Sequence, residues 1–125
     1  MKLKSLALAG LMASVAPMAM ADEAVRVGMI TTLSGGGAGL GIDVRDGFML
    51  AMAQAGRDDI EVIIEDDERA PDRAVQLADR MIQADDVDIL TGIIWSNLAM
   101  AVVPSATAQG LFYLSPNAGP SQLAG

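Results

Sequence analysis

Cysteine and histidine are both absent from the 125 residues of this chain. Their absence excludes disulfide bonds, thiolate and imidazole metal ligands, and the nucleophilic dyads that need either side chain. It also excludes an acylated cysteine as a lipid anchor. Catalysis would have to use carboxylates and hydroxyls, and no base stands near Ser34, Ser96 or Ser115 in a recognisable motif. We therefore expect a protein that is not an enzyme and that needs neither a metal nor a cofactor.

The first 21 residues differ in composition from the rest of the chain. Lys2 and Lys4 precede an apolar run at residues 6–16, and the small residues Ala19 and Ala21 follow it. This layout is typical of a cleavable secretory signal, and the run is about half of the roughly 20 residues that a membrane-spanning helix needs. We predict cleavage after Ala21, a periplasmic location, and no stable membrane insertion of the mature chain.

Basic residues are scarce in the predicted mature chain. Cleavage would remove both lysines and leave six arginines against 16 acidic residues, a net charge of −10. Such a surface repels phosphate backbones, and neither a basic stripe nor an aromatic ladder accompanies it. We therefore expect no nucleic-acid partner, and we interpret the acidity as a contribution to solubility.

Strand-like and helix-like segments alternate along the chain. Strands are predicted at residues 25–31, 60–65, 87–94 and 111–115, and helices at residues 42–55, 71–83 and 97–109. Asp43 and Asp46 would lie near the start of the first helix, and Pro104 should kink or restart the third. The alternation predicts an α/β fold with a parallel, doubly wound sheet that has helices on both faces.

Such a sheet binds ligands beyond the carboxyl ends of its strands, here at residues 33–41, 66–70, 95–98 and 116–120. The glycine cluster at residues 35–41 lacks dinucleotide-binding spacing and a P-loop lysine, so we interpret it as a flexible lip. The acidic run that follows the second strand could hold Mg²⁺. We favour the alternative in which Asp66 and Asp67 accept hydrogen bonds from loop amides.

Trp95, Ser96 and Asn97 join the third predicted strand to the third helix. Ser96 or Asn97 could cap that helix, and the amides beside them form a site for an anion. Trp95 is the only tryptophan of the chain. It could stack on a flat ligand or belong to the core.

A second polar turn, residues 115–120, follows the fourth predicted strand. Pro116 and Pro120 stiffen this turn, so the backbone groups of Ala118 and Gly119 would be held in fixed directions. Fixed dipoles lose little entropy when a ligand binds. We therefore expect this turn to contribute ligand contacts.

Four segments, in their order and spacing, resemble the periplasmic binding proteins of the branched-chain amino acid type. They are VRVGMITTLSGGGAGLGIDVRDGF, EVIIEDDERAPDRAVQLADRMI, ILTGIIWSNLAMAVVP and LFYLSPNAGPSQLAG. The resemblance implies a two-lobed protein that closes on a small ligand and docks on the permease of an ABC transporter. It implies that residues 22–125 form an incomplete first lobe, without the second lobe, as a fragment or after an early stop.

Together with the residue patterns above, the resemblance gives the candidate ligand contacts Leu40, Trp95, Ser96, Asn97, Asn117, Ala118 and Gly119. Ser96 stands where the family places a serine against the ligand carboxylate. Gly119 stands where a hydroxyl residue is usual and Leu40 where tyrosine is frequent, which disfavours a standard amino acid. The segments around Ser96 and Asn117 are similar to the branch that takes up aromatic acids.

We therefore expect solute capture for an ABC importer, with a small organic carboxylate as the ligand. An aromatic acid is favoured, and a branched-chain amino acid is next. The alternative is a ligand-sensing extracellular domain of a receptor, because lobes of this family also serve that role. A second α/β lobe downstream would indicate transport, and a spanning helix would indicate signalling.

Overall fold

The computed structural model describes residues 24–124, so the predicted signal and its cleavage after Ala21 lie outside the described residues. The elements are β1 (Val25–Thr31), α1 (Ala38–Ala55), β2 (Ile60–Asp66), α2 (Pro71–Gln83), β3 (Ile89–Thr91), α3 (Ser96–Ala108), β4 (Phe112–Leu114) and a short 3₁₀ helix at Ser121–Leu123. Between residues 24 and 124, no helix combines the length and the apolar character needed to cross a membrane.

The four strands form one parallel sheet in the order β2-β1-β3-β4. β1 pairs with β2 from Val25 opposite Ile60 to Thr31 opposite Asp66. The chain leaves β1 for β2 on one side and then returns to the other side of β1 as β3. The loops after β1 and β3 therefore lead to opposite faces of the sheet, and sheets of this kind bind ligands beside such a reversal, at the carboxyl ends of the strands.

Helices cover both faces of the sheet, which confirms the predicted α/β architecture. α2 and α3 pack against each other, with Leu77, Met81 and Leu98 buried over Ile30 of β1 in one apolar cluster. Met29 points to the opposite face, because successive side chains of a strand alternate. It lies there beside Val44 and Phe48 of α1.

The start of α1 corrects the prediction of a flexible glycine lip. The helix begins at Ala38, four residues earlier than expected, after Gly37 with φ of 95°. A Cβ atom at Gly41 would lie 2.0 Å from the carbonyl oxygen of Thr32, so glycine here lets the helix approach the end of β1 closely. Asp43 and Asp46 consequently lie beyond the first turn, and their predicted place near the helix start is wrong.

The predictions for β3 and for Pro104 in α3 also differ from the structure. β3 covers only Ile89–Thr91, because Gly92 has φ of 102° and passes close to the carbonyl of Ile30. α3 continues through Pro104 without a restart. Proline removes one hydrogen bond of the helix, but Val102, Val103 and Ala106 are buried on either side of it and hold this turn against the core.

Candidate functional site

Three of the four strand-end loops meet at Trp95, the residue before α3. Its indole N–H donates to the hydroxyl of Thr32 at 2.9 Å. The guanidinium carbon of Arg69 lies 3.9 Å from the centroid of its ring. A Cβ atom at Gly37 would lie 2.4 Å from the edge of the same ring. Trp95 therefore joins the loops after β1, β2 and β3, and one face of its ring is covered by Arg69.

A buried carboxylate stands behind this contact. Asp67 is fully buried, and its Oδ1 accepts hydrogen bonds from the Thr32 hydroxyl at 2.6 Å and from the Arg69 amide at 2.8 Å. Its Oδ2 has no hydrogen-bond partner among residues 24–124. A single carboxylate oxygen thus links the loop after β2 to the residue that holds the indole of Trp95.

Asp66 joins the same loops on their more exposed side. Its Oδ1 accepts the amides of Leu33 and Glu68, each at 2.9 Å. Burial raises the pKa of Asp66, but hydrogen bonds from the Ser34 hydroxyl and from the amides of Leu33, Glu68 and Ser34 outweigh it and hold the pKa below its usual value. The predicted role of Asp66 and Asp67 as acceptors for loop amides is confirmed. In the part of the chain that the structure describes, no three acidic side chains are grouped as metal ligands.

The N-terminus of α3 lies directly after Trp95. Trp95 itself is the N-cap residue, in an extended conformation, and no side chain caps the helix. The prediction that Ser96 or Asn97 caps α3 is wrong, because both residues are already helical and a capping side chain belongs to the extended residue before them. Ser96 and Asn97 are exposed, and the first amides of the helix have no partner in a preceding turn.

The turn after β4 is tied to the segment that precedes Trp95. The Asn117 side-chain amide donates to the carbonyl of Ile94 at 2.9 Å, and the Ala118 amide donates to the carbonyl of Ile93 at 3.4 Å. The Ser115 hydroxyl donates to the carbonyl of Ala118. The backbone of Ala118 is therefore fixed, as predicted, but its amide is already bonded within the chain and the residue is buried.

Gly119 and Leu40 complete the set of predicted ligand contacts. Gly119 is exposed, and nothing lies within 4 Å of the position that a Cβ atom would take. Leu40 lies in the first turn of α1 rather than in a loop, with 49% of its surface exposed. Its amide donates to the carbonyl of Gly37, which borders Trp95.

Sequence reasoning missed Thr32 and Arg69, which contact Trp95 directly. The only available signal was their position, since Thr32 directly follows β1 and Arg69 lies in the loop after β2. The structure brings Asn117 and Ala118 next to the strand end that leads to Trp95, and Leu40 next to Gly37. The assignment of these residues as ligand contacts stays a prediction.

The geometry can be compared with known proteins. The family model described as periplasmic binding protein matches residues 24–125. The chain is 35% identical to a solute-binding protein of an ABC transporter from R. palustris, solved in complex with benzoate. That match covers 77% of this chain and 28% of the other, with a TM-score of 0.72.

Two further solved structures are similar. An ABC transporter substrate-binding protein from Sphaerobacter thermophilus is 33% identical, with 81% of this chain and 28% of the other covered and a TM-score of 0.77. A solute-binding protein from Rhodopseudomonas palustris BisB5, in complex with 3,4-dihydroxybenzoic acid, is 30% identical, with 80% and 29% covered and a TM-score of 0.76.

This chain spans less than a third of the length of each of these structures. Among curated proteins, no sequence matches it. The family model, however, extends over all of the described residues and contains the three strand-end loops that meet at Trp95 as well as the turn after β4. The chain belongs to the periplasmic binding protein family, as the sequence resemblance had predicted, and its solved neighbours are ABC substrate-binding proteins.

Proposed function

We propose that this chain supplies the first-lobe part of a binding site for a small organic carboxylate, which the whole protein captures in the periplasm for the permease of an ABC importer. An aromatic acid is the favoured ligand and a branched-chain amino acid is the next. The observation that carries the proposal is the juxtaposition, at the carboxyl end of the sheet, of an uncapped helix N-terminus bearing Ser96 and the half-buried indole of Trp95.

The polar part of the proposed site suits an anion. The N-terminal end of α3 carries the positive end of the helix dipole and amides that lack partners in a preceding turn. Ser96 adds an exposed hydroxyl at the first helical position. A ligand carboxylate placed there would accept hydrogen bonds from both, as anions do at helix N-termini elsewhere.

The surroundings favour an acid without an ammonium group. A bound amino acid needs a partner for its α-amino group, and the acidic residues at the end of β2 and in the loop that follows already have partners within the chain. Asp66 and Asp67 accept hydrogen bonds from loop amides, and Glu68 pairs with Arg73 at 3.5 Å. The solved neighbours with benzoate and 3,4-dihydroxybenzoic acid support the same ligand class.

Isothermal titration calorimetry of the full-length gene product tests the ligand class. Benzoate, 4-hydroxybenzoate, leucine and phenylalanine form a sufficient panel, because they vary the aromatic ring and the ammonium group separately. We expect one aromatic acid to bind per chain, more tightly than either amino acid. Tighter binding of leucine would assign the site to branched-chain amino acids, and no binding across the panel would contradict the proposal.

The contribution of Ser96 is tested by Ser96→Ala, with Ser105→Ala as the matched control on the other end of α3, where the side chain is also exposed. We expect Ser96→Ala to weaken benzoate binding by about 1–3 kcal/mol, the cost of a lost hydrogen bond to a charged group. Ser105→Ala should leave the affinity unchanged. Equal affinities for the two variants would remove Ser96 from the site.

Delivery to a permease is a separate part of the proposal. Uptake of radiolabelled benzoate by cells that carry a deletion of the gene should fall relative to the parent strain. Unchanged uptake, together with measurable benzoate binding by the purified protein, would favour the sensing role over transport.

A further inference from the structure

Arg69 differs from the other arginines in its partners. The chain contains six arginines. Within residues 24–124, the five others each have a carboxylate within salt-bridge distance, and they are Arg26, Arg45, Arg57, Arg73 and Arg80. Arg69 has none within the same residues, and its guanidinium lies instead over Trp95. In a chain with a net charge of −8, a cation without a carboxylate partner therefore lies at the carboxyl end of the sheet.

Stacking leaves most of the hydrogen-bonding capacity of this guanidinium free. The five N–H donors of arginine lie in the plane of the group, so a ring beneath that plane orients them without accepting their bonds. The one hydrogen bond of the Arg69 side chain within the described residues is a long one, 3.4 Å from Nη1 to the carbonyl of Gly36. The attraction of the cation to the indole ring holds the group in place.

The backbone that carries Arg69 is also fixed before any ligand binds. Glu68 and Arg69 have φ of 51° and 58°, a region that costs energy for residues with a Cβ atom. The buried carboxylate of Asp67 offsets this cost by accepting the Arg69 amide, and the carbonyl of Asp67 accepts the Ala70 amide at 2.8 Å. The same carboxylate holds Thr32, which accepts the indole N–H of Trp95. One buried group therefore orients both members of the stacked pair.

We propose that Arg69, stacked on Trp95, is the cationic contact for the carboxylate of the ligand. This inference rests on the proposed function and names the residue that makes the site prefer an acid over its uncharged amide. A guanidinium pairs with a carboxylate through two parallel N–H···O bonds, which are stronger than bonds between neutral groups. A preorganised pair of this kind loses little entropy on binding.

Calorimetry with benzoate and benzamide on the full-length protein tests the inference. These probes share the aromatic ring and differ in charge. The variants are Arg69→Met, which keeps an unbranched apolar stem and removes the charge, Arg69→Lys, which keeps the charge, and Arg57→Met. Arg57 lies at the opposite end of the sheet, paired with Asp59, so its removal changes the net charge by the same amount without touching the site.

We expect Arg69→Met to weaken benzoate binding roughly 10- to 100-fold, the range for a lost charged hydrogen bond, and Arg69→Lys to have an intermediate effect. Arg57→Met should change the affinity for benzoate by less than about twofold, because exposed charges far from the site are screened. Benzamide should bind wild type and Arg69→Met equally. Thermal unfolding checks that each variant folds. If Arg69→Met does not fold, the affinity of Arg69→Lys for benzoate tests the inference instead.

The outcomes separate this inference from the function on which it rests. If wild type, Arg69→Met and Arg69→Lys all bind benzoate with equal affinity, the role of Arg69 is overturned and the proposed function stays intact. Equal affinity of wild type for benzoate and benzamide has the same meaning. Wild type that binds neither aromatic acids nor amino acids overturns both.

Discussion

The two ends of the sheet are held together by different kinds of interaction. At the carboxyl end, a buried hydrogen bond from Thr32 to Asp67 and a partly buried one from Trp95 to Thr32 join three loops. At the amino end, the contacts include exposed ion pairs, such as that between Arg26 and Glu61 at 3.2 Å, whose side chains are 42% and 53% exposed. Buried polar groups are costly to leave without partners, whereas exposed ion pairs contribute little. The end that carries the proposed site is therefore the end whose geometry is hardest to change.

The largest effect that sharpens this comparison is expected at Gly41, where α1 meets the end of β1. Gly41→Ala places a methyl group against the backbone of Thr32, which cannot move aside as a flexible side chain can. We expect a loss of about 3 kcal/mol in the free energy of unfolding, measured by urea denaturation. Gly47→Ala is the matched control in the same helix, because open space surrounds its Cβ position, and it should stabilise by about 0.5–1 kcal/mol. Similar losses for the two variants would contradict close packing at Gly41.

The next effect compares two neighbouring buried threonines. Thr32→Val removes the donor to Asp67 and the acceptor for Trp95, so we expect a loss of about 2 kcal/mol. The Thr31 hydroxyl is buried without a hydrogen-bond partner among the described residues, so Thr31→Val should be neutral or stabilising by up to about 1 kcal/mol. Urea denaturation of both variants measures the difference. A stable Thr32→Val protein would show that the carboxyl end does not depend on this network.

A smaller effect is a dependence of stability on pH through Asp66, which is only partly buried. Its pKa in the folded chain is below the unfolded value of about 3.9, so the carboxylate stabilises the fold above that pH. This contribution is lost as the pH falls through the folded pKa. Asp66→Asn should therefore show a shallower loss of stability on acidification below about pH 4 than wild type, measured by thermal unfolding. Parallel curves for the two proteins would contradict the lowered pKa.

The smallest effect is expected at the amino end. Glu61→Gln removes the exposed ion pair with Arg26 and should change the free energy of unfolding by less than about 0.5 kcal/mol. Urea denaturation at low and high salt measures it, and any difference should shrink as salt screens the charges. A loss of more than about 1 kcal/mol would break the comparison between the two ends.

Local signals predicted some elements with the bounds that the structure has. β1 at Val25–Thr31 follows a run of β-branched and apolar residues, and α2 at Pro71–Gln83 begins at a proline suited to the first helical position. The start of α1 was missed because its glycines are typical of a loop. Gly41 lies inside the helix because only glycine fits against the backbone of Thr32 at this point. That contact is made in the folded chain and cannot be seen in the local sequence.

The predicted site shows the same division. The resemblance named Trp95, Ser96 and the turn after β4, and the structure places that turn against the strand end leading to Trp95. Arg69 could not be found in this way, because its place over Trp95 depends on two residues of positive φ and on a carboxylate buried by the folded chain. The capping role of Ser96 failed for a smaller reason, since α3 begins one residue earlier than its polar side chains suggested.

The position of Trp95 makes it an optical reporter for this end of the molecule. It is the single tryptophan of these 125 residues, its N–H is hydrogen-bonded and its ring lies beneath a cation. A ligand that draws Arg69 away or excludes water from the indole would change the wavelength and intensity of its fluorescence. In a longer protein with other tryptophans, the difference in emission between wild type and Trp95→Phe identifies the fluorescence of this residue. Ligand binding can then be followed without a label.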